Sequence, residues 1–576
     1  MSLDYEGLPR EYPHRFLPEN IDLTDWSQVE GYFTELQRRE IGSVDDLRSW
    51  LDDYSELLVV VSEAASIRYI RMTEQTDRQD YRDAYLAFVE NVEPKVKVAQ
   101  FNLNRRFVES DLRRSLPSDR YGLLQRKIEN SVRLFRDANV ELEKEERKLA
   151  QQHQSVIGSM TVSYEGRERT IPEMGKYLEV PDRAKREESW RLTQGRMAAD
   201  RDRLDDIFDK MVALRDRIAR NAGFENFRDY SFVSRERFDY GPEDCFRFHE
   251  AVEEQIVPLV REVYGRRWRE MDLGSLRPWD LLVDPRGRPP LRPFTTTPEL
   301  VRGCELIFEK VDPAFSDELK TMARLKLLDL ESRPGKAPGG YNTELLDLRL
   351  PFIFMNSVGR DQDVWTLLHE SGHAFHVFEM RDRDLPYLYR SDNTPTEIAE
   401  VASMTMELLG GEHIAGTFYD EADAARSRYD HFLSIASLLP WIATIDAFQH
   451  WVYTNPGHTR EARRDAWVET YDRFSPGVSW DGLEEEKRSL WHRQLHLFQS
   501  PFYYIEYGIA QLGALGIWSR YLRSPVEAVQ AYRAALALGG SRPLPELFGR
   551  AGLPWDFSAA IVEEYGRELR NILLTQ

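Results

Sequence analysis

The chain has 576 residues, which is enough for two to four domains of roughly 100 to 200 residues each. With 41% hydrophobic and 30% charged residues, it has the composition of a folded protein, which excludes a disordered or collagen-like chain. Its formal net charge of −21 repels phosphate backbones, and no basic face is evident in the sequence. We therefore expect no nucleic-acid partner.

Two cysteines, Cys245 and Cys304, are too few for the disulfide framework of a secreted fold or for a thiolate metal site. The first residues carry acids and no apolar run, which predicts neither a signal peptide nor a membrane anchor. Two apolar segments, 432–453 and 501–518, contain charged residues and are predicted to be buried helices. We expect a cytoplasmic protein with no membrane partner.

The order of apolar, charged and turn-forming residues predicts a mostly α protein with a small β element. The predicted elements are helices over 24–155, a short strand and turn or small hairpin over 160–180, helices over 182–272, a Pro-rich excursion over 273–300, a flexible loop over 334–341, a strand over 350–356, and helices from 361 to the end. The corresponding domains are an N-terminal helical domain at 1–155, a short β or linker region at 156–185, and a large domain at 186–576.

The Gly335-Lys336 pair in the flexible loop invites comparison with phosphate-binding loops. The spacing G-x-x-x-x-G-K requires glycine at position 330, where the chain has Leu330. The sequence therefore does not predict a nucleotide-binding loop at this position.

The strongest chemical signal is an H-E-x-x-H motif, which places His369, Glu370 and His373 in a predicted helix. Positions four apart differ by about 40° around a helix axis, so both imidazoles project from one face and can share a zinc ion. Glu370 can then reach a metal-bound water without being a ligand. Gly372 costs roughly 1 kcal/mol in a helix interior, which predicts close approach of a neighbouring element. A chance match on an amphipathic helix is the alternative for the bare motif.

A catalytic zinc takes three protein ligands, and the elongated motif with a third histidine is absent because position 379 is Glu379. A second helix is predicted to begin at Thr394, whose spacing to Glu397 matches a capping box. Glu397 then has a structural role, and Glu400, one turn further, is the predicted third ligand of one zinc per chain. Glu407 lies within about 20° of the same stripe and is predicted to orient a ligand; a solvated face is the alternative.

A third cluster lies far downstream and contains His492, His496, Tyr503, Tyr504 and Tyr507. A phenol or imidazole aimed at the developing oxyanion stabilises it during hydrolysis. The same pattern is also typical of an aromatic core helix, so the sequence alone leaves both interpretations open.

Five blocks together resemble one family, the oligoendopeptidase F group of the thimet-oligopeptidase-like zinc metallopeptidases. The resemblance is close over about 330 to 520 and weaker back to about 160. The blocks, in order, are Pro334–Tyr341, Pro351–Asn356, His369–His376, Ala399–Met404 and His496–Gly508.

The resemblance implies a two-lobed helical metallopeptidase with a deep central channel, in which residues 1–155 form a channel wall and residues 186–576 the catalytic domain. It implies that His369, His373 and Glu400 are the zinc ligands and Glu370 the general base.

It further implies that His496 and Tyr507 stabilise the oxyanion, with Tyr503 and Tyr504 as possible substitutes. The Gly339-Gly340-Tyr341 loop resembles a segment that covers the substrate. We also expect the strand containing Phe354 and Asn356 to align a peptide by edge pairing.

The function predicted from the motif and the resemblance is a zinc endopeptidase that cuts short unstructured peptides. A zinc carboxypeptidase of similar helical build is the alternative within enzymes. A helical peptide-binding protein with a dead metal site is the alternative outside them. The oligomeric state is not predicted.

Overall fold

The computed structural model describes residues 3–19, 21, 23, 25–390, 393–475 and 477–575. Part of the prediction about the N-terminus falls on Met1 and Ser2, which lie outside the described residues. The helices are α1 (Trp26–Arg38), α2 (Val44–Glu74), α3 (Gln79–Asn91), α4 (Glu93–Glu109), α5 (Ser118–Leu134), α6 (Asp137–Gly158), α7 (Ile171–Gly175), α8 (Arg183–Ala199), α9 (Arg201–Asn221), α10 (Phe227–Ser234), α11 (Pro242–Glu270), α12 (Thr297–Val311), α13 (Pro313–Arg324), α14 (Asp361–Arg381), α15 (Thr396–Gly411), α16 (Glu421–Thr454), α17 (Arg460–Phe474), α18 (Glu484–Arg488), α19 (Leu495–Gln499), α20 (Tyr504–Arg523), α21 (Pro525–Leu536), α22 (Leu544–Arg550) and α23 (Ala559–Thr575).

Two small sheets accompany the helices, and the prediction of a mostly helical protein is confirmed. Strands β1 (Thr161–Tyr164) and β2 (Arg167–Thr170) form an antiparallel hairpin. Its two-residue turn, Glu165-Gly166, has φ angles of 49° and 73°, and turns with positive φ at both positions match the twist of a hairpin. The hairpin predicted near residue 160 is therefore present.

The second sheet contains β3 (Leu328–Glu331), β4 (Tyr341–Leu345) and β5 (Leu350–Ser357). Its order is β3-β5-β4, with β3 parallel and β4 antiparallel to β5. Strand β5 includes the predicted strand 350–356, and its residues are almost all buried, as expected for a strand with neighbours on both sides.

The chain divides into two compact units. One comprises Met1–Leu134, Arg292–Ala425 and Gly513–Trp555, and the other comprises Phe135–Leu291, Arg426–Leu512 and Asp556–Gln576. These units interleave along the sequence, whereas the sequence analysis divided the chain into three consecutive segments. That division stays a prediction. We call the units the first and the second unit below.

Helices α14 and α15 pack closely in the first unit, and glycine makes the contact possible. A Cβ atom added at Gly372 would lie 2.4 Å from the carbonyl oxygen of Ala402 and 2.6 Å from Cα of Ser403. At the other end of the interface, Gly410 faces Leu368 and Gly411 faces Trp365. The close approach that the sequence predicted for Gly372 is thus explained by the backbone of α15.

The predicted capping box at the start of α15 is wrong. The helix begins at Thr396 with Pro395 at the N-cap position, and Pro395 has no side chain that can cap. The hydroxyl of Thr394 instead donates to the carbonyl oxygen of Tyr389 at 3.5 Å. Glu397 is 4% exposed, so it lies in the interior and not at a capped surface.

Among the described residues, α16 is the helix that is long and apolar enough to cross a membrane by length and composition. In its most apolar 18-residue window, 67% of the residues are buried inside the protein, and a core helix meets the same criterion. Both Asp446 and His450 of this helix are buried, as is most of α20. Both apolar segments are therefore largely buried helices, as the sequence analysis predicted.

We predict that Gly372→Ala lowers the free energy of unfolding of the protein by about 1–3 kcal/mol, the usual cost of forcing extra atoms into a packed interface. The urea midpoint of the full chain measures the change. The matched control is Gly31→Ala in α1, where an added Cβ meets no described atom within 4 Å and alanine should be neutral or slightly stabilising. Equal midpoints for the two variants would contradict the role of Gly372.

Candidate active site

The end of the second sheet leads directly into α14, which carries the H-E-x-x-H motif. The carboxylate of Asp363 accepts hydrogen bonds from the backbone N–H groups of Val358 at 2.7 Å and Arg360 at 2.9 Å. These bonds fix the first turn of α14, where acidic residues also favour the helix dipole. Because these bonds fix where α14 begins, they also fix the position of the H-E-x-x-H motif along the helix.

Three predicted ligands converge between α14 and α15. The donor atoms of His369, His373 and Glu400 all lie within 4.8 Å of one another. Nε2 of His369 is 3.5 Å and Nε2 of His373 is 3.7 Å from the same carboxylate oxygen of Glu400. Two imidazoles and one carboxylate are a donor set that catalytic zinc prefers.

Two further residues hold these groups in position. Nδ1 of His369 donates to Glu407 at 2.6 Å, which turns Nε2 towards Glu400. The hydroxyl of Ser403 donates to Glu400 Oε2 at 2.9 Å. Ser403 is a residue of the site that was not predicted, although its position three residues after Glu400 places both on one face of α15.

The electrostatics of the cluster favour a cation. Burial raises the pKa of Glu370 to about 7, the imidazole of His369 opposes this rise, and the carboxylates of Glu400 and Glu407 add to it. Burial disfavours a charged His369, yet its hydrogen bond to Glu407 and the nearby acids raise its pKa to about 10. Burial lowers the pKa of His373 to about 4. Three carboxylates around two imidazoles create a site where a divalent ion relieves repulsion.

Strand β4 lies beside the motif. The side-chain amide of Asn342 donates to the backbone oxygen of Glu370 at 3.4 Å. A Cβ at Gly340 would lie 4.0 Å from Glu370 Oε1 and 3.3 Å from the backbone oxygen of Phe354. Glycine at position 340 therefore allows the chain to lie against the backbone of Phe354, next to the carboxylate of Glu370.

The predicted substrate-binding loop is held by its own chain. The amide of Asn356 donates to the carbonyl oxygens of Ala337 at 2.8 Å and Gly339 at 2.9 Å. The ring of Tyr341 stacks on Phe354 with centroids 4.8 Å apart. The roles of Gly339, Gly340, Tyr341, Phe354 and Asn356 in substrate binding stay predictions.

The expectation that the strand containing Phe354 and Asn356 pairs with a peptide edge is wrong. Strand β5 is the central strand between β3 and β4; β4 pairs with Leu350–Phe354, and β3 pairs with β5 from Ile353 to Ser357. An edge strand is required for pairing with a peptide, and β4 is the edge strand next to Glu370.

Lys336, in the loop before β4, donates hydrogen bonds to backbone oxygens of neighbouring strands. Its ammonium group donates to the carbonyl oxygens of Asp329 at 2.8 Å and Glu331 at 3.0 Å, and also to that of Met355. It lies 4.3 Å from the centroid of the Phe354 ring. These contacts agree with the absence of a phosphate-loop spacing in the sequence.

The downstream histidine and tyrosines form a cluster of their own in the second unit. The ring centroid of His496 is 5.5 Å from Tyr503, 4.8 Å from Tyr504 and 5.9 Å from Tyr507. The amide of Gln494 donates to His496 Nδ1 at 2.9 Å, so a neutral ring carries its proton on Nε2. The sequence analysis did not identify Gln494, and a residue two positions before a histidine gives no specific signal.

His492, quoted with this cluster in the sequence analysis, has other partners. Its Nε2 lies 3.0 Å from the carboxylate of Asp205, and its backbone oxygen lies 3.1 Å from Nε2 of His153. The side chain is buried. These contacts indicate that His492 supports the interior of the second unit.

Three arginines hold the backbone between α19 and α20. Arg215 donates to the carbonyl oxygens of Leu497 and Phe498, Arg235 donates to that of Pro501, and Arg237 donates to that of Phe502.

Phe502 itself has a φ angle of 65°, which is uncommon for a residue with a side chain. Its N–H donates to Gln449 at 2.6 Å. The segment immediately before Tyr503 is therefore fixed by buried hydrogen bonds, which sets the direction in which α20 begins.

Comparison with known proteins gives concordant matches. Residues 176–567 match the model of peptidase family M3, and residues 16–135 match the model of the peptidase M3 N-terminal domain. An X-ray structure named for oligoendopeptidase F is 30% identical, has a TM-score of 0.88, and aligns over 97% of this chain and 99% of that chain. The structure of PZ peptidase A with an inhibitor is 28% identical with a TM-score of 0.88, over 98% of this chain and 99% of that one.

Among curated proteins, the oligopeptidase PepF of Bacillus subtilis (strain 168) is 25% identical over 269 residues, which are 45% of this chain and 39% of that protein. The chain spans about half or less of the length of the curated relatives it matches first. The family model covers well over half of the present chain, and the full-length structural matches share its fold. The chain therefore belongs to peptidase family M3.

Proposed function

We propose that this protein is a zinc-dependent oligopeptidase that hydrolyses internal bonds of short peptides. The observation that carries the proposal is the convergence of His369, His373 and Glu400 around one point, with Glu370 on the same helix. The names of the relatives, which include oligopeptidase and oligoendopeptidase F, support the same activity.

Peptidases of family M3 depend on zinc, and the residues present fit that metal. We propose that one zinc per chain is held by His369, His373 and Glu400. The fit rests on the donor set and on the hydrogen bond from His369 to Glu407 at 2.6 Å, which leaves Nε2 for the ion. Bound there, zinc would polarise a carbonyl group and make a water molecule easier to deprotonate.

Glu370 is the proposed proton carrier. Its side chain is 8% exposed and lies one residue after His369, outside the set of ligands. In this proposal its carboxylate accepts a proton from the attacking water and later delivers it to the leaving amine.

His496 and Tyr507 are the proposed donors to the oxyanion that forms when the peptide carbonyl is attacked. The acceptance of a hydrogen bond by His496 Nδ1 supports this role, because the opposite nitrogen then carries a proton that can be donated. Tyr503 and Tyr504, which contact the same imidazole, stay as alternatives to Tyr507.

We propose that the substrates are unstructured peptides of roughly 5 to 20 residues, the length of extended chain that a domain-sized channel can hold at about 3.3 Å per residue. The family resemblance implies such a deep channel. Edge pairing of the peptide would involve β4, because β4 is an edge strand and contacts Glu370 through Asn342.

Incubation of the purified protein with peptides labelled at both ends tests the proposal. We expect cleavage at internal bonds, loss of activity with a chelator, and no cutting of a stably folded protein. Release of single residues from the C-terminus would instead indicate a carboxypeptidase, and binding without cleavage would indicate a peptide-binding protein. Efficient digestion of a native globular protein would contradict the proposed size limit.

The expectations of a cytoplasmic location and of no nucleic-acid or membrane partner stay predictions. Both Cys245 and Cys304 are free and buried, which is compatible with a reducing compartment.

We predict that Glu400→Gln lowers bound zinc at least tenfold at a fixed free concentration, because the amide removes the negative ligand and leaves two imidazoles. The zinc bound per chain is measured by mass spectrometry at one chelator-buffered concentration of free zinc. Glu421→Gln is the matched control, since Glu421 is exposed at the start of α16. Equal zinc loss in both variants would contradict the assignment of Glu400.

For Glu370→Gln, turnover should fall by about 100-fold or more, the usual contribution of a positioned general base, while zinc content and folding stay unchanged. The amide keeps the size of the side chain but cannot accept the proton. Steady-state hydrolysis of a labelled peptide and metal content of the same preparation are measured together. Activity well above one hundredth of the wild-type value would exclude this role.

Tyr507→Phe should lower kcat about 100-fold with little change in KM, because a donor aimed at the oxyanion acts mainly in the transition state. Tyr503→Phe and Tyr504→Phe, measured in the same series, identify which phenol has this role. If Tyr507→Phe changes only KM, Tyr507 binds substrate. Tyr503 or Tyr504 is then the predicted donor to the oxyanion.

A further inference from the structure

A second group of metal-type ligands lies in the second unit, on different helices from the H-E-x-x-H motif. Cys245 on α11 and both Asp446 and His450 on α16 place one donor atom each within 4.8 Å of one another. The donor atoms of His369, His373 and Glu400 lie within the same limit. Tetrahedral zinc with bonds of 2.0 to 2.3 Å spaces its donors about 3.3 to 3.8 Å apart, so small rotations of side chains would close the group around an ion.

The spacing of these residues along α11 and α16 allows their side chains to converge. Cys245 and His249 stand four apart on α11, and Asp446 and His450 stand four apart on α16, so each pair shares one face of its helix. His249 Nε2 lies 2.9 Å from Asp446 Oδ2. The two imidazole rings have centroids 6.0 Å apart, compared with 5.1 Å for the rings of His369 and His373.

The group is almost completely buried. Cys245 and Asp446 are 0% exposed, His249 is 2% and His450 is 4% exposed. Aromatic rings of Phe246 and Phe502 pack against His450 with centroids 4.8 and 5.3 Å away. Burial among aromatic rings strengthens any electrostatic interaction inside the group and slows exchange of a bound ion.

Several polar atoms of this group make no hydrogen bond to the described residues. Among the residues that the structure describes, Asp446 Oδ1 and both ring nitrogens of His450 accept or donate no hydrogen bond. His450 Nε2 lies 3.2 Å from Asp446 Oδ2 without meeting the geometry of a hydrogen bond. Buried polar atoms without partners are costly and call for an occupant such as a water or an ion.

The charges also suit a divalent cation. The thiol of Cys245 and the carboxyl group of Asp446 are both fully buried in this group. A bound divalent ion would displace the thiol proton. One thiolate and one carboxylate would then balance the two positive charges of the ion, which removes the cost of burying them separately.

We propose that Cys245, Asp446 and His450 form a second metal site that binds zinc and joins α11 to α16. His249 is a positioning residue that donates to Asp446 Oδ2 and directs Oδ1 towards the ion. The sequence analysis excluded a thiolate site because two cysteines are too few for one built from thiolates alone. A single thiolate combined with imidazole and carboxylate avoids that limit.

Metal analysis of the full chain tests this proposal. We expect two zinc ions per chain as purified and one after dialysis against EDTA. The dialysed ion should come from the H-E-x-x-H site, because the side chains of His369 and His373 are 25% and 22% exposed, whereas those of Asp446 and His450 are 0% and 5% exposed. One ion per chain before dialysis and none afterwards would overturn the proposal.

Cobalt provides a readout that does not depend on activity. Protein produced with Co²⁺ should show a thiolate-to-cobalt charge-transfer band in the near ultraviolet, since the H-E-x-x-H site contains no cysteine ligand. Cys245→Ser should lose the band and one metal ion, whereas Cys304→Ser, which changes the other buried cysteine, should retain both. Glu400→Gln should keep the band while losing the other ion.

The spectrum of the cobalt-loaded wild-type protein tests the proposal even where a variant fails to fold. Absence of the band from wild-type protein loaded with cobalt would overturn the proposal, as would its persistence in Cys245→Ser. His450→Gln keeps the thiol and should still lose one metal ion. An unchanged metal content in this folded variant would also overturn the assignment.

Discussion

The candidate active site depends on the close packing of α14 against α15. Gly372 has no Cβ, and the backbone of Ala402 and Ser403 occupies the space that a Cβ would fill. This contact brings the face of α14 that carries the two histidines against the face of α15 that carries Glu400 and Glu407. A larger residue at position 372 would push the two helices apart, and with them the donor atoms, which here lie within 4.8 Å of one another.

The close packing of α14 and α15 brings like charges together, and the surrounding hydrogen bonds lower the energetic cost of burying them. The carboxylate of Glu407 accepts from His369, and that of Glu400 accepts from Ser403. Burial without such partners would neutralise these groups. His369 and Glu400 are thus oriented by the protein itself, as the proposed binding of zinc requires.

The second unit uses the same construction in a different place. Helix α11 carries His249 four residues after Cys245, and α16 carries His450 four residues after Asp446. The two imidazole rings have centroids 6.0 Å apart, compared with 5.1 Å for His369 and His373. Buried arginines have a further role in this unit, since Arg215, Arg235 and Arg237 hold carbonyl oxygens of the segment before α20. Guanidinium groups suit this task because their several N–H donors have a fixed geometry.

The sequence by itself determined the features that depend on local spacing. The periodicity of apolar residues predicted the helices, and the H-E-x-x-H motif with Glu400 predicted a set of ligands that the structure brings together. The cost of Gly372 in a helix predicted a close neighbour. These predictions succeed because side chains three or four apart share a helix face whatever the rest of the fold does.

Other features required the tertiary structure, because they depend on segments that are distant in the chain. The position of β5 between β3 and β4 overturned the expected edge pairing, and Pro395 at the N-cap position of α15 overturned the capping box at Thr394. The partners of Ser403 and Gln494 and the group around Cys245 follow from which helices pack together. Sequence spacing fixes which residues share a face of one helix, but only long-range packing decides which faces meet.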